Sequence, residues 1–184
     1  MKFKDSVIID EPLNGLSTFV IPTQVQDVVT ISGSMLGGML FSDNNKIPSL
    51  TSSMLDKGTR NYSKHEISNQ LESIGAEISF VSSNRHINFT AHCLKPNIDI
   101  VVRLIAEQLK EATFPEDELL TLKKRMIANL EVSKDDTKKQ ALINFLREIY
   151  PKGHYNRRST IEDSINNIRS VQANDLIHFY EQVY

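Results

Sequence analysis

Residues 47–80 (IPSLTSSMLDKGTRNYSKHEISNQLESIGAEISF) carry the strongest structural signals in this chain. The stretch opens with a helix predicted over residues 48–57, because Pro48 suits a first helical turn and Gly58 suits the position after a last one. A second helix follows, and the β-branched and aromatic residues at the end of the stretch predict a strand over 76–82. The order is therefore helix, helix, strand.

The second helix has the clearest boundaries. Ser63 and Glu66 form a capping-box pattern, which marks the start of a helix, and Gly75 is a typical C-terminal stop. Ile67 and Leu71 lie four residues apart, so they fall on one stripe that can face a core.

Strands are also predicted on both sides of this stretch. Three short strands, at 7–9, 16–21 and 28–31, open the chain, and Asn14-Gly15 favours a tight hairpin turn between the first two. The strand predicted over 86–94 alternates between polar and apolar side chains: His86, Asn88, Thr90 and His92 on one face, Ile87, Phe89, Ala91 and Cys93 on the other.

The remainder of the chain is helical by its periodicity. Helices are predicted over 97–112, 160–168 and 173–184. Between them, one helix is predicted to begin at Pro115 and a separate one to end at Ile149. A strand with one wet and one apolar face suits an antiparallel sheet with helices packed on one face. The sequence therefore predicts an α+β fold, formed by residues 1–184 as a single domain.

The composition excludes several classes of protein. The chain has 184 residues and a formal net charge of −2, without a long basic run, which argues against nucleic acid as a partner. It contains no apolar run long enough for a membrane segment. The one cysteine, Cys93, rules out an internal disulfide. The cellular compartment stays open.

Several motifs together resemble the insulinase/pitrilysin-type (inverted zincin) zinc peptidases. The strongest is MLDKGT at 54–59, followed by the capped helix and GAEI at 75–78. Weaker similarities lie in order along nearly the whole chain: LNGL at 13–16, FPEDEL at 114–119, GHY at 153–155 and IRSVQANDLIHFYEQVY at 168–184.

The resemblance implies where a zinc site would lie. Catalytic members of the family carry His-x-x-Glu-His just before the Gly-Thr, and the matching positions here are Ser49, Ser52 and Ser53. Neutral hydroxyls are poor zinc ligands and poor bases. Glu131 lies in the region of the family's third ligand, and without two histidines it is interpreted as a solvated helix residue. We therefore expect no catalytic residue, no metal ligand and no cofactor in this chain.

The resemblance also implies a role. The chain is similar to one repeat unit of the half that lacks zinc, and is expected to be a fragment of a longer protein that is inactive by itself. Its partner would be the zinc-bearing half, in the same chain or in a separate subunit, and the two halves would enclose a peptide chamber. The alternative is a structural or interaction subunit related to processing peptidases, with no proteolytic role.

A peptide could bind by adding a strand to an exposed sheet edge, for which strands 76–82 and 86–94 are candidates. The side chains predicted to take part are Glu77, Ser79, His86 and Asn88.

Other chemistry is weakly supported by the sequence. His86 and His92 are roughly 20 Å apart along an extended strand, too far to share a metal ion. Cys93 is predicted on the apolar side of its strand, and GSMLGG at 33–38 lacks the Lys-Ser/Thr ending of a phosphate loop. The basic clusters at 123–125 and 157–158 are interpreted as solvated faces, with contact to an acidic peptide or to the partner half as the alternative.

Overall fold

A computed structural model describes residues 7–13 and 15–184. Its elements are, in chain order, β1 (Ile8–Leu13), β2 (Leu16–Val20), β3 (Val28–Leu36), α1 (Lys46–Met54), α2 (Lys64–Ser73), β4 (Glu77–Ser82), β5 (His86–Leu94), α3 (Ile98–Lys110), α4 (Glu116–Val132), α5 (Thr137–Ile149), α6 (Ile161–Ser170) and α7 (Ala173–Val183). The α+β class is confirmed. Within the described ranges, no helix is long and apolar enough to cross a membrane.

The strands form two antiparallel sheets. β1 and β2 make a hairpin, with Leu13 opposite Leu16, and the predicted turn residue Asn14 lies outside the described residues. The second sheet has the order β3-β5-β4, so β5 is its central strand. The predicted alternation of β5 is confirmed, because Ile87, Ala91 and Cys93 are buried.

β3 is longer than predicted, since the strand continues through Gly33 to Leu36. Gly33 lies opposite Phe89 on β5, and a Cβ added at Gly33 would lie 2.2 Å from the Phe89 ring. The aromatic ring therefore covers the glycine, and this contact compensates for the weak strand propensity of glycine. The pattern around a single glycine could not reveal a cross-strand neighbour that lies 56 residues away.

α1 begins two residues earlier than predicted and ends three residues earlier, at Met54. The backbone leaves the helix at this point because the N–H of Lys57 bonds to the Met54 carbonyl in a turn (3.0 Å). Gly58 is not the residue that stops the helix. It has φ +150° and pairs with Ser63 in an isolated bridge, which leads the chain into α2.

The core lies between the helices and one face of the three-stranded sheet. α1 packs against β4 and α7, α3 packs against β5, and α4 packs against α6. The largest side chains that are fully buried there include Leu50, Met54, Leu55, Leu104 and Leu176. The opposite face of the sheet remains open, as the polar side of β5 predicts.

The capping box of α2 is confirmed. The Ser63 hydroxyl accepts from the backbone N–H of Glu66, and the Glu66 carboxylate accepts from the backbone N–H of Ser63 (2.7 Å). These hydrogen bonds with Ser63 hold the pKa of Glu66 below its ordinary value. Because the folded-state pKa is lowered, the carboxylate's contribution to stability is present above the unfolded-state pKa. It is lost as the pH falls through the folded-state pKa.

We expect Ser63→Ala to raise the pKa of Glu66, because the mutation removes the hydroxyl that donates to the carboxylate at 2.8 Å. The same variant should lose stability above pH 5 and differ less from the wild type as Glu66 becomes protonated at lower pH. An NMR titration of the Glu66 side chain measures the pKa. Ser73→Ala, at the other end of α2, is the control, and an unchanged Glu66 titration in Ser63→Ala would contradict the prediction.

Gln108 is a fully buried polar side chain that is only half satisfied. Its Nε2 donates to the carbonyl of Leu104 (3.1 Å), while its Oε1 has no hydrogen-bond partner among the described residues. We expect Gln108→Leu to raise the free energy of unfolding by about 1 kcal/mol, because the unpaired acceptor leaves the core. Urea denaturation measures this change. The control Gln70→Leu, on a half-exposed position, should change stability by less than about 0.5 kcal/mol.

Candidate functional site

The three serines that the sequence predicts at degenerate zinc-motif positions, Ser49, Ser52 and Ser53, lie on α1, where the helix packs against β4. Ser52 is 2% exposed, whereas Ser49 and Ser53 are half-buried. The Ser52 hydroxyl donates to the carbonyl of Ser49 (3.0 Å), so its proton is used within the helix. These side chains therefore offer neither imidazole nor carboxylate, and the most buried of them is closed off from solvent.

The residues near this helix do not fit a zinc ion. Among residues 7–13 and 15–184, no three His, Cys, Asp or Glu side chains are grouped so that they could hold a metal. Glu131 is exposed on α4 and forms an ion pair with Lys134 (2.7 Å), as expected of a solvated helix residue. A catalytic step through zinc cannot be derived for this part of the chain.

The histidines are dispersed. His92 shares a hydrogen bond with the Thr30 hydroxyl (3.0 Å) on the open face of the sheet, and His178 shares one with Gln182 on α7 (3.0 Å). The ring of His154 stacks on Tyr150 and on Tyr155. These three histidines thus have local contacts on separate elements of the fold.

Cys93 is a buried residue of the core. Only 3% of it is exposed, and burial raises the pKa of its thiol. A thiol of this kind stays protonated and behaves as a small apolar side chain, so it is not positioned as a nucleophile.

The four predicted peptide-contact residues lie on the open face of the sheet. Glu77 and Ser79 are on β4, and His86 and Asn88 are on β5. They do not form one cluster. Glu77 lies opposite His92, at the far end of β5 from His86.

The edge of the sheet next to α1 belongs to β4 alone. β5 pairs with β3 on one side and β4 on the other, so its backbone groups cannot receive a further strand. The candidate edge 86–94 was therefore wrong, because strand order depends on long-range pairing that local alternation does not encode. In the described part of the chain, β4 has β5 as its single strand neighbour.

The register defines which backbone groups of β4 are free. The N–H of Ser83 donates to the carbonyl of His86 (2.7 Å), which makes these two residues a hydrogen-bonded pair. Bonded and non-bonded pairs alternate along an antiparallel ladder. The backbone N–H and C=O groups of Ile78, Phe80 and Ser82 therefore point away from β5, toward the open edge.

A second feature is a basic pocket of about 530 Å³ at the end of α5. Four cationic side chains and two carboxylates line it: Arg147, Lys152, Arg157, Arg158, Asp43 and Asp163. The sequence pointed to the Arg157-Arg158 pair as a basic cluster. It gave no signal that two further cations, from α5 and from the following loop, would converge on the same pocket.

Hydrogen bonds and stacking hold the loop that forms this pocket. Nη1 of Arg157 donates to the carbonyl oxygens of Arg147 and Tyr150, at the end of α5. The ring of His154 stacks on Tyr150 (4.4 Å between centroids) and on Tyr155 (4.5 Å). The pocket is thus bordered by an ordered aromatic stack.

The fold is an α+β domain of the kind found in peptidases, and hydroxyls occupy the positions where the sequence predicts a degenerate zinc motif. Residues 42–164 match the model of the family described as insulinase (peptidase family M16), and the chain belongs to this family. A curated relative, the mitochondrial-processing peptidase subunit alpha-1 of Dictyostelium discoideum, is 29% identical over 97 residues, which are 53% of this chain and 15% of the relative.

Solved structures share the fold. The peptidase M16 inactive domain from Pseudomonas fluorescens superposes with a TM-score of 0.83 at 18% identity, covering 95% of this chain and 42% of that one. The periplasmic protease PqqL from Escherichia coli superposes with a TM-score of 0.80 at 20% identity, covering 100% of this chain and 21% of that one. This chain thus spans less than half the length of these relatives.

Proposed function

We propose that this chain is a non-catalytic domain of a zinc metallopeptidase, and that it forms part of the wall of a peptide chamber. It would assemble with a zinc-bearing half, which lies in the same protein or in a separate subunit. The observation that carries the proposal is the set of serines at the positions that match the zinc motif. Ser49 and Ser53 would replace its two histidines, and Ser52, which is buried and hydrogen-bonded, would replace its glutamate. The similarity to a structure described as an M16 inactive domain supports it.

The open edge of β4 is the part of the domain best suited to hold a peptide. An added strand would bond to the outward backbone groups of Ile78, Phe80 and Ser82, which gives affinity that depends little on peptide sequence. Glu77 and Ser79 would flank that strand on the open face of the sheet. His86 and Asn88 lie one strand further in, and would contact long side chains of the peptide.

Strand addition can be tested with two extended peptides of the same sequence, each N-methylated on a different alternate set of residues. One set removes the N–H groups that face β4, and the other removes those that face away. We expect one peptide to bind and the other to fail. In ¹⁵N NMR spectra, the amides of Ile78, Phe80 and Ser82 should shift more than those of Glu77 and Ser79. Equal behaviour of the two peptides would contradict strand addition.

The accessory role is tested by cleavage of a quenched fluorescent peptide library. This chain is assayed alone and then mixed with a His-x-x-Glu-His-bearing counterpart, with added zinc and with chelator. Chelator-sensitive cleavage that this chain enhances in the mixture is the expected result. Cleavage by this chain alone would contradict the prediction that Ser49, Ser52 and Ser53 are non-catalytic.

A structural subunit without a proteolytic role is the second candidate. Large apolar side chains are exposed on the hairpin and on α5, including Ile9 (64%), Phe19 (61%) and Phe145 (60%). Exposed apolar surface of this kind is typical of protein–protein contacts. Assembly with the counterpart without any effect on cleavage would favour this function.

A further inference from the structure

The basic pocket at the end of α5 has an excess of positive charge that the described residues do not neutralise. Of its four cations, Arg147 is paired with Asp163 at 3.8 Å. Neither Lys152 nor Arg158 has a carboxylate within 4 Å in the described part of the chain. Arg157 is held by backbone carbonyls, which use its donors but leave its charge in place.

A further cation, Lys46, lies close to Arg158. Lys46, at the start of α1, is half-buried, and its pKa is lowered first by burial and then by the nearby charge of Arg158. Two like charges near each other in a partly buried place cost free energy, and an anion placed beside them would remove that cost. The surroundings of Arg158 are therefore arranged to favour a negative ligand.

The size and lining of the pocket indicate which class of anion it could bind. Its volume of about 530 Å³ is within the range of pockets that bind small molecules. Leu40 lines one part and the half-exposed ring of Tyr155 another, so an anion bound here would carry apolar atoms into contact with both. A carboxylate attached to a peptide provides this combination, and a bare inorganic anion does not.

A residue of the pocket is also close in sequence to the open edge of β4. Asn84 lines the pocket and follows Ser82, the last residue of β4, by two positions. A peptide paired with β4 would therefore have one of its ends near the part of the pocket that Asn84 lines. The Ser83–Asn84 turn is fixed from the other side, because the N–H of Leu40 donates to the Asn84 carbonyl (2.9 Å).

We propose that this pocket binds a peptide carboxylate through Arg158 and Lys152, with the ring of Tyr155 against the apolar part of the ligand. The guanidinium of Arg158 supplies charge-assisted hydrogen bonds, and Lys152 supplies a mobile second cation. This inference names a substrate class for the proposed peptide-binding domain, and so it rests on that proposal. It selects peptides with an acidic side chain or a free C-terminus.

Three fluorescent peptides of otherwise identical sequence test the inference by anisotropy at fixed ionic strength. The first has a free C-terminal carboxylate and no acidic side chain. The second has an amidated C-terminus and one glutamate. The third is amidated and has glutamine in place of that glutamate. We expect at least one of the first two to bind about tenfold more tightly than the third, and the better of them identifies the source of the carboxylate.

Two double variants complete the test. Lys152→Gln/Arg158→Gln should remove the preference for the carboxylate-bearing peptide. Lys124→Gln/Arg125→Gln removes the same charge from exposed positions on α4 and should keep the preference. Equal weakening by both variants would overturn the inference, since the effect would then be general attraction.

The outcomes also separate this inference from the proposed function. Equal binding of all three peptides overturns the carboxylate site and leaves peptide binding at β4 intact. Absence of binding by all three overturns both. A carboxylate preference that survives in Lys152→Gln/Arg158→Gln overturns the assignment of these two residues.

Discussion

Ser52→Glu is expected to lower the free energy of unfolding by about 4 kcal/mol at pH 7, which corresponds to raising the pKa of a buried carboxyl by about three units. Ser52 is 2% exposed, and its hydroxyl donates a hydrogen bond to the carbonyl of Ser49 on the same helix. The new carboxyl group would have to displace core atoms or stay protonated. Urea denaturation measures the change.

Ser52→Gln separates charge from size, because glutamine has the shape of glutamate without its charge. The two variants should differ most at neutral pH and converge as the pH falls toward about 4.3, the ordinary pKa of glutamate. A carboxyl whose folded-state pKa is raised destabilises the protein above its unfolded-state pKa, and the penalty disappears below it. Equal stability of the Glu and Gln variants at pH 7 would contradict the burial of Ser52.

Gly38→Ala is expected to lower the free energy of unfolding by about 3 kcal/mol, because the added methyl group has no space. A Cβ at Gly38 would lie 2.4 Å from the carbonyl oxygen of Ser83 and 2.6 Å from the backbone nitrogen of His86. Both are backbone atoms of the β4–β5 turn, so a side-chain rotation cannot relieve the contact. Thermal or urea denaturation measures the loss.

Gly75→Ala is the matched control for Gly38→Ala. Gly75 has φ +61° and no atom within 4 Å of an added Cβ, so its substitution costs backbone strain alone, about 1 kcal/mol. Gly38→Ala should also weaken carboxylate binding, since it shifts the turn that carries Asn84. Equal stability losses in the two variants would contradict the close approach at Gly38.

Residues near one another in the sequence determined much of this fold. Ser63 and Glu66 are three residues apart, and their capping box forms as the pattern predicts. The alternation of residues 86–94 defined β5 with its correct bounds, and Pro115 preceded the start of α4. These signals are local, since capping and alternation depend on neighbours within a few residues.

The sequence also predicts the chemistry at the positions that match the zinc motif. Hydroxyls at Ser49, Ser52 and Ser53 cannot replace imidazole and carboxylate, whatever the surrounding fold. The sequence could not show that Ser52 is buried in the core. The burial of Ser52 depends on elements distant in the chain, from β4 to α7, that pack around α1.

The strand order, the extent of β3 and the basic pocket depend on tertiary contacts that the sequence did not reveal. β5 became the central strand through pairing with β3, whose Gly33 is covered by Phe89 from the neighbouring strand. The pocket joins cations from α5 and the following loop with Leu40 and Asn84 from distant segments. Local propensity does not encode such contacts. They form only when the whole chain packs so that its apolar surface is buried.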